Sequence, residues 1–384
     1  MSALAQPPGA GAQARPLRTV PDPYAHRHDE DPRYFERALQ TGLSGTADIV
    51  GEYERALAAH FGSAHAIAVS SGCAAVMAAL RAFDWTPGQR VIVTPTAPIC
   101  TVLPLLDAGL VPVFCDVARD SFGFDQADLD ALIDADTCAV IEVPMWGYPV
   151  AADATRALAT RRGVALIMDL AHAYQTRLHG RKLPAYGDVA CFSTHDGKYM
   201  STGEGGSVIT DDAAAAARIR AYTRFGNLEG KTLGVNLKLN GLQAALGLAR
   251  VPALDRDREI RLRNRETLLG LLDNPHFREL PLCAGGEASG YALLLQAVGH
   301  DGRELVRYQV AHGVPSDIDK YDNTPLYRYP LLTGYARECP NATALLRSLT
   351  TVPLHPDLSR DDLEYIAAVL NAYAPANAAG EARA

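Results

Sequence analysis

Lysine is scarce in this sequence of 384 residues, because only five of its 36 basic side chains are lysines. The five are Lys182, Lys198, Lys231, Lys238 and Lys320. Arginine keeps its charge permanently, so it cannot replace a lysine that must lose its proton and act as a nucleophile. The scarcity therefore makes each lysine a candidate for chemistry that arginine cannot perform.

Paired cysteines, long apolar runs and an excess of basic charge are also missing. The seven cysteines are scattered and contain no CxxC pair, which favours a cytoplasmic protein with reduced thiols over a disulfide framework or a zinc site. No apolar run approaches the ~20 residues that span a bilayer. The first twenty residues have the composition of a disordered leader and not that of a signal peptide. A net charge of −8 argues against nucleic acid or an anionic membrane as a partner.

Short apolar runs alternate with amphipathic segments between residues 50 and 210. The runs are almost continuously apolar, as expected of strands that are buried on both faces of a parallel sheet. The helical patterns between them predict βαβ crossovers. The predicted strands are 66–70, 90–93, 111–117, 138–143, 164–169, 189–192 and 207–210. We predict an α/β fold, in which a large domain has a mostly parallel seven-stranded sheet flanked by helices and a smaller C-terminal domain is α+β.

The pattern changes after residue 242. A long helical stretch runs from residue 243 towards residue 272, with Pro252 as a kink or break. A smaller unit follows, with a strand at 291–296 and a final helix at 361–371. We predict a large domain over residues 21–250 and a small domain over 251–374. Residues 1–20 form the predicted leader, and residues 375–384 have the composition of a disordered tail.

Small or polar residues follow several of the predicted strands, and open α/β sheets bind ligands at the carboxyl ends of their strands. Ser71-Gly72-Cys73 joins a strand to a helix. Backbone N–H groups and the helix dipole suit a phosphate there, although Ser-Gly is also common in such turns for steric reasons. The segment Gly203-Glu204-Gly205-Gly206 precedes a strand and not a helix, so a tight turn is a better interpretation than a phosphate site.

Two further strand ends carry ionisable side chains. Asp169 ends the apolar run VALIMD. It is either a helix cap or buried hydrogen-bond acceptor, or the counter-ion of a protonated ring nitrogen. His172 is either a structural histidine or a residue that contacts a ligand. Lys198 lies in the loop after the next strand, close to Ser193. A phosphate site, a counter-ion and an amine that captures an aldehyde are the groups that pyridoxal phosphate (PLP) needs.

The run FSTHDGKYMSTGEGG (192–206) resembles the FSFxxxKxxxxGEGG motif of the DegT-type sugar aminotransferases, which are fold-type-I PLP-dependent enzymes. Other segments match the family in the same order. They are VSSGCAA (69–75), GLVPVFCDV (109–117), PMWGYPVAAD (144–153), MDLAHA (168–173), GVNLKLNGLQAALG (234–247) and LTTVPLHPDLSRDD (349–362). The resemblance therefore covers nearly the whole chain.

The resemblance implies a role for each candidate residue of the reaction. Lys198 would form the Schiff base with PLP, Asp169 would pair with the ring nitrogen, and His172 would lie beside the ring hydroxyl. The implied reaction moves an amino group from an amino acid, with glutamate or glutamine as the donor, to a keto-sugar, a cyclitol or a related specialised-metabolite intermediate. Relatives that catalyse dehydration have histidine at the lysine position, so Lys198 indicates aminotransfer.

The resemblance also implies a phosphate site and an oligomeric state. Gly72, Cys73 and Ser193 would hold the phosphate of PLP. Asn236 would reach the phosphate in the neighbouring subunit, because members of the family are dimers with shared active sites. The expected partners are therefore an amino-acid donor, a small keto acceptor and a second copy of the chain.

Thr94, Pro95 and the segment His195-Asp196-Gly197 depart from the pattern of the family, and so do three residues at positions of expected contacts. Cys73 replaces a hydroxyl residue with a weaker thiol donor, Pro98 stands where an aromatic ring stacks on the cofactor, and Lys238 replaces an arginine. These departures leave a second hypothesis open, a PLP enzyme of the same fold that catalyses elimination, racemisation or condensation. A third hypothesis, a sensor or interaction protein without catalytic activity, is disfavoured by the intact pair Lys198 and Asp169.

Overall fold

The structure of the protein is a computed structural model that describes residues 18–21, 28–321 and 324–375. Its helices are α1 (Asp31–Thr41), α2 (Asp48–Phe61), α3 (Gly72–Ala79), α4 (Ile99–Asp107), α5 (Gln126–Leu132), α6 (Ala152–Arg162), α7 (Ala213–Thr223), α8 (Gly241–Arg250), α9 (Leu254–Leu271), α10 (Gly302–Ala311), α11 (Asp317–Tyr321), α12 (Pro340–Ser348) and α13 (Arg360–Asn371). Its strands are β1 (His65–Val69), β2 (Arg90–Val93), β3 (Val111–Phe114), β4 (Thr137–Glu142), β5 (Ala165–Asp169), β6 (Arg177–Leu178), β7 (Arg181–Lys182), β8 (Val189–Ser193), β9 (Gly206–Thr210), β10 (Phe277–Glu279), β11 (Gly286–Glu287), β12 (Ala292–Ala297) and β13 (Leu349–Pro353).

Seven strands form the central sheet, in the order β1-β9-β8-β5-β4-β2-β3. The strands from β8 to β3 pair in parallel, whereas β9 pairs antiparallel with both β1 and β8. Strands β4 and β8 are buried along their whole length, as their continuous apolar runs predict. The predicted α/β class, with a mostly parallel seven-stranded sheet and helices between the strands, is confirmed.

The C-terminal part of the chain has a hydrophobic core of its own. Strands β10, β12 and β13 form a three-stranded antiparallel sheet, and side chains of β12, β13 and α13 pack together beside it. Val20 is buried in this core, and Arg18 pairs with Asp362 at 2.7 Å. Residues 18–20 of the predicted leader therefore pack against the C-terminal core. Residues 1–17 of the leader, and residues 376–384 of the predicted tail, lie outside the described residues.

The connection between the two parts of the chain contains Pro252. A short 3-10 turn, Val251–Ala253, separates α8 from α9, so the predicted break in this helical stretch is confirmed. Arg265 on α9 pairs with Glu279 on β10 at 2.7 Å, which places one charged side of the helix against the C-terminal sheet. The domain boundary near residue 250 stays a prediction. In the part of the chain that the structure describes, no helix combines the length and the apolar character needed to cross a bilayer.

Candidate active site

A cavity of about 390 Å³ lies at the carboxyl ends of the strands of the central sheet. Its walls come from the segments that follow β1, β2, β4, β5 and β8. A volume of this size is typical of a site for a small molecule. The cavity brings together six of the seven predicted site residues, which are Gly72, Cys73, Asp169, His172, Ser193 and Lys198.

The turn between β1 and α3 directs the start of a helix into this cavity. The Ser71 side chain caps α3 by accepting the Ala74 N–H at 3.0 Å. A Cβ atom on Gly72 would come within 2.6 Å of the Ser193 Cβ, so glycine is required for this close approach. The Ser193 hydroxyl accepts the His195 N–H at 3.3 Å, which leaves its own proton for another acceptor. The helix start and this hydroxyl form a donor set that suits a phosphate.

Asp169 is buried at the end of β5, with 5% of its surface exposed. Its Oδ2 accepts the Thr101 hydroxyl at 2.6 Å, and its Oδ1 accepts the Ala171 N–H at 3.1 Å. Burial raises the pKa of this carboxyl group, while the two hydrogen bonds and the charge of Lys198 act in the opposite direction. Because burial disfavours the charged form, the Asp169 carboxylate would be stabilised by a cation in the cavity, such as a protonated ring nitrogen.

Lys198 lies on the loop between β8 and β9 and lines the same cavity. The side chain is half-buried. Burial lowers the pKa of its amine, while the neighbouring Cys100, Asp169 and Asp317 raise it by a smaller amount. A larger fraction of the amine is therefore neutral at neutral pH than in a lysine at the surface, and a neutral amine is the nucleophilic form.

The loop that carries Lys198 is closed at its base by hydrogen bonds. Thr194 N donates to the Gly205 carbonyl at 2.8 Å, Thr202 N donates to the Thr194 carbonyl at 2.8 Å, and the two threonine hydroxyls lie 2.6 Å apart. Gly203 and Gly205 have φ angles of 82° and 147°, which L side chains rarely adopt. The geometry agrees with the interpretation of the GEGG segment as a tight turn.

The imidazole of His172 is held from two sides. Its Nδ1 accepts the Trp146 N–H at 3.4 Å, which assigns the proton of the neutral ring to Nε2. Its ring stacks on Tyr291 with 5.0 Å between centroids and an angle of 11° between planes. Burial, followed by the charge of Lys198, lowers the pKa of His172 well below its usual value. The ring is therefore neutral at neutral pH and offers one N–H donor.

Asn236 is the predicted site residue that does not line the cavity. It is exposed on the surface, where its Oδ1 accepts the Lys238 ammonium at 2.6 Å. The Lys238 ammonium also lies 4.8 Å from the centre of the Phe225 ring. The function of Asn236 in a neighbouring subunit stays a prediction.

Cys73, Pro98 and Lys238, which depart from the family pattern, do not all lie in the cavity. Pro98 and Cys73 line the cavity, whereas Lys238 does not. Burial raises the pKa of the Cys73 thiol, and it raises that of Cys100, which also lines the cavity, to about 11. Both thiols are therefore protonated and neutral at neutral pH.

Sequence reasoning missed three residues that contact the site. Thr101 lies three residues after Pro98, and Trp146 lies within the segment PMWGYPVAAD, so both are close to residues that carry the resemblance. Tyr291 had no comparable signal, because it reaches the site from the C-terminal part of the chain.

The chain is similar to known aminotransferases over most of its length. The model of the DegT/DnrJ/EryC1/StrS aminotransferase family matches residues 26–371. The UDP-N-acetyl-3-dehydro-alpha-D-glucosamine 3-aminotransferase of Acidithiobacillus ferrooxidans is 30% identical over 86% of this chain and 92% of its own length. The L-glutamine:2-deoxy-scyllo-inosose aminotransferase of Streptomyces paromomycinus is 32% identical over 64% of this chain and 62% of its own length.

The fold is shared with solved structures of other proteins. The crystal structure of DesI, determined in the presence of its TDP-sugar product, superimposes with a TM-score of 0.86 and 27% identity. The superposition covers 98% of this chain and 97% of DesI. Residues 26–371, which the family model matches, include every residue that lines the cavity. The chain belongs to the DegT/DnrJ/EryC1/StrS family of aminotransferases.

Proposed function

We propose that this aminotransferase uses PLP to move an amino group from glutamate or glutamine to a ketone on a sugar, a cyclitol or a related specialised-metabolite intermediate. The observation that carries the proposal is that Lys198, Asp169 and the start of α3 meet in one cavity. The relatives support this substrate class, because one is named for a UDP-linked amino sugar and another for L-glutamine and a cyclitol ketone.

The residues of the cavity fit PLP in charge and in hydrogen-bonding capacity. Gly72, Cys73 and Ser193 would hold the phosphate at the start of α3, where the approach of Gly72 to Ser193 leaves no room for a Cβ atom. Asp169 would face the ring nitrogen, and the His172 Nε2–H would donate to the ring hydroxyl. When bound, PLP supplies the electron sink for removal of a proton from the amino donor and carries the amino group between the two substrates.

Lys198 would have two tasks in this site. Its amine would attach the cofactor in the resting enzyme and, once displaced by the amino donor, would take the proton from the donor carbon. Its Nζ would hold this proton and then donate it to the cofactor. Burial favours both tasks because it lowers the pKa of the amine. Thr101 would keep the Asp169 carboxylate oriented, since its hydroxyl donates to Oδ2 at 2.6 Å.

Absorbance spectroscopy tests the proposal directly. The purified protein with PLP is expected to have a visible absorbance band that disappears when glutamate or glutamine is added without an acceptor. The Lys198→Ala variant is expected to lack this band, whereas Lys231→Ala, which changes an exposed lysine paired with Glu229, is expected to keep it. A Lys198→Ala protein with an unchanged band would overturn the assignment.

A second candidate function is favoured by Pro98 and Cys73, which both line the cavity. A cavity changed on the cofactor side can direct PLP towards elimination, racemisation or condensation. The two candidates differ in the fate of the amino donor. Release of 2-oxoglutarate from glutamate, or of the corresponding keto acid from glutamine, supports aminotransfer. Failure of both donors to yield a keto acid, in a protein that binds PLP, supports the second candidate.

We also propose that the protein is a cytoplasmic homodimer with shared active sites. The loop 225–234 exposes 83% of Leu228 and 78% of Leu233, and it lies next in sequence to Asn236. Large exposed apolar side chains of this kind are typical of a surface that another chain covers. Sedimentation equilibrium measures the oligomeric state, and a monomer at every concentration would contradict the proposal. The free cysteines suit a reducing compartment.

A further inference from the structure

Tyr291 immediately precedes β12 in the C-terminal part of the chain and contacts two parts of the candidate site. Its hydroxyl donates to the Gly197 carbonyl at 2.8 Å, and Gly197 immediately precedes Lys198. Its ring stacks on His172 with 5.0 Å between centroids and 11° between planes. One side chain therefore contacts both the lysine loop and the histidine expected beside the cofactor.

The backbone of Tyr291 is itself held in place. Its N–H donates to the Ser289 hydroxyl at 3.3 Å, and its carbonyl accepts from the Arg261 guanidinium at 3.5 Å. A Cβ atom on Gly147 would lie 3.0 Å from the Tyr291 Cβ, so the segment after β4 packs closely against this residue. These contacts fix the backbone from which the tyrosine side chain projects, and they come from residues outside the cavity.

The hydrogen bond from Tyr291 acts on a glycine of the lysine loop, Gly197. Glycine adopts more backbone conformations than other residues, and residue 197 is attached directly to the lysine. A fixed carbonyl at Gly197 restricts rotation of the peptide group that leads into Lys198. The ring stacking fixes the His172 plane in a similar way, because parallel aromatic rings at this distance attract each other.

We propose that Tyr291 is a positioning residue that orients the Lys198 loop and the His172 ring together, and that makes their geometry depend on the C-terminal part of the chain. The expected effect on PLP rests on the proposed function, whereas the effect on Lys198 itself does not. Two substitutions separate the two contacts. Tyr291→Phe removes the hydrogen bond and keeps the ring, and Tyr291→Leu removes both.

The first measurement uses the protein reconstituted with PLP. Tyr291→Phe is expected to raise the dissociation constant of PLP about 3- to 10-fold, as expected for the loss of one hydrogen bond, and to shift the pH midpoint of the visible absorbance band. Tyr291→Leu is expected to raise the dissociation constant about a further 3- to 10-fold, because the ring contact is also lost. The matched control is Tyr186→Phe, which removes a 2.8 Å hydrogen bond from a buried tyrosine to the Leu178 carbonyl. Neither residue lines the cavity, so this variant is expected to leave the pH midpoint unchanged.

The second measurement needs no cofactor. The rate at which acetic anhydride labels Lys198 in the protein without PLP, measured by mass spectrometry as a function of pH, reports the environment of the amine. Tyr291→Phe is expected to shift this profile, and Tyr186→Phe is not. A wild-type protein that fails to bind PLP would contradict the proposed function, and the labelling profile alone would then decide the role of Tyr291.

Two results would overturn the inference. One is a Tyr291→Phe protein with the labelling profile and the pH midpoint of the wild type. The other is a change of the same size in Tyr291→Phe and Tyr186→Phe that follows their melting temperatures, because it would show that Tyr291 only stabilises the fold.

Discussion

Replacement of Glu142 by glutamine is expected to change how the stability of the protein depends on pH. Glu142 ends β4 and is fully buried. Among the described residues, neither of its carboxyl oxygens has a hydrogen-bond partner. Burial raises the pKa of this group from 4.5 to about 7, and the polar groups of Thr155 and of the Phe124 backbone oppose this only weakly, since neither meets the geometry of a hydrogen bond to the carboxyl group. The folded protein therefore binds a proton at Glu142 more tightly than the unfolded chain does.

The size of the effect follows from this difference in pKa. Because the folded-state value is raised, the stabilisation is fully present below a pH of 4.5 and is lost as the pH rises towards 7. A shift of one pKa unit corresponds to about 1.4 kcal/mol. The free energy of unfolding of the wild type should therefore fall by about 2.5 kcal/mol between about pH 5 and about pH 8 through this residue alone. Glutamine does not titrate, so Glu142→Gln should lack this part of the decrease.

Urea unfolding followed by tryptophan fluorescence provides the assay. The quantity of interest is the difference between variant and wild type at each pH, since the other titrating groups are shared. Glu54→Gln is the matched control, because Glu54 is also buried but is paired with Arg220 at 2.6 Å and accepts the Ala68 N–H at 3.0 Å. This control gives the loss of stability when a buried carboxylate that has an ion-pair partner is replaced. Parallel stability profiles for Glu142→Gln and the wild type would refute the reasoning.

Two substitutions in the cavity have specific expected outcomes. Thr101→Val removes the hydroxyl that donates to Asp169 at 2.6 Å, and the loss of a hydrogen bond to a charged group should weaken PLP binding about tenfold. Equilibrium dialysis measures this, and an unchanged affinity would contradict the role given to Thr101. Gly72→Ala places a methyl group within 2.6 Å of the Ser193 Cβ, so we expect a lower melting temperature and weaker PLP binding. Adding Ser193→Gly should recover part of the melting temperature but not the affinity, and a Gly72→Ala protein as stable as the wild type would argue against the close approach.

The strands of the central sheet could be predicted because burial on both faces leaves a continuous apolar run in the sequence. The bounds of β2 agree at residues 90–93. The bounds of β3 do not, because the predicted strand continues to residue 117 whereas β3 ends at Phe114. Cys115 and Val117 are fully buried although they lie outside the sheet. A run of apolar residues indicates that the segment is buried, but it does not show whether the segment is a paired strand or a buried loop.

Most of the candidate site could also be predicted, because the carboxyl ends of parallel strands meet at one edge of the sheet. Asp169 and Ser193 end neighbouring strands, so their proximity follows from the topology. Thr101 and Tyr291 were missed because their approach depends on how a helix and the C-terminal part of the chain pack against that edge. The role predicted for Asn236 requires a second copy of the chain, and no pattern within one sequence describes the geometry of such a contact.

The closed base of the Lys198 loop has a consequence for protein engineering. The paired threonine hydroxyls and the two backbone hydrogen bonds between 194, 202 and 205 lie outside the segment 195–201. Residues 195 and 196 can therefore be varied by cassette mutagenesis with the hydrogen bonds at the base of the loop and the Gly197 contact to Tyr291 left in place. A library of this kind would vary the surroundings of the lysine while its anchorage to the sheet stays constant, which offers a direct route to changed substrate preference.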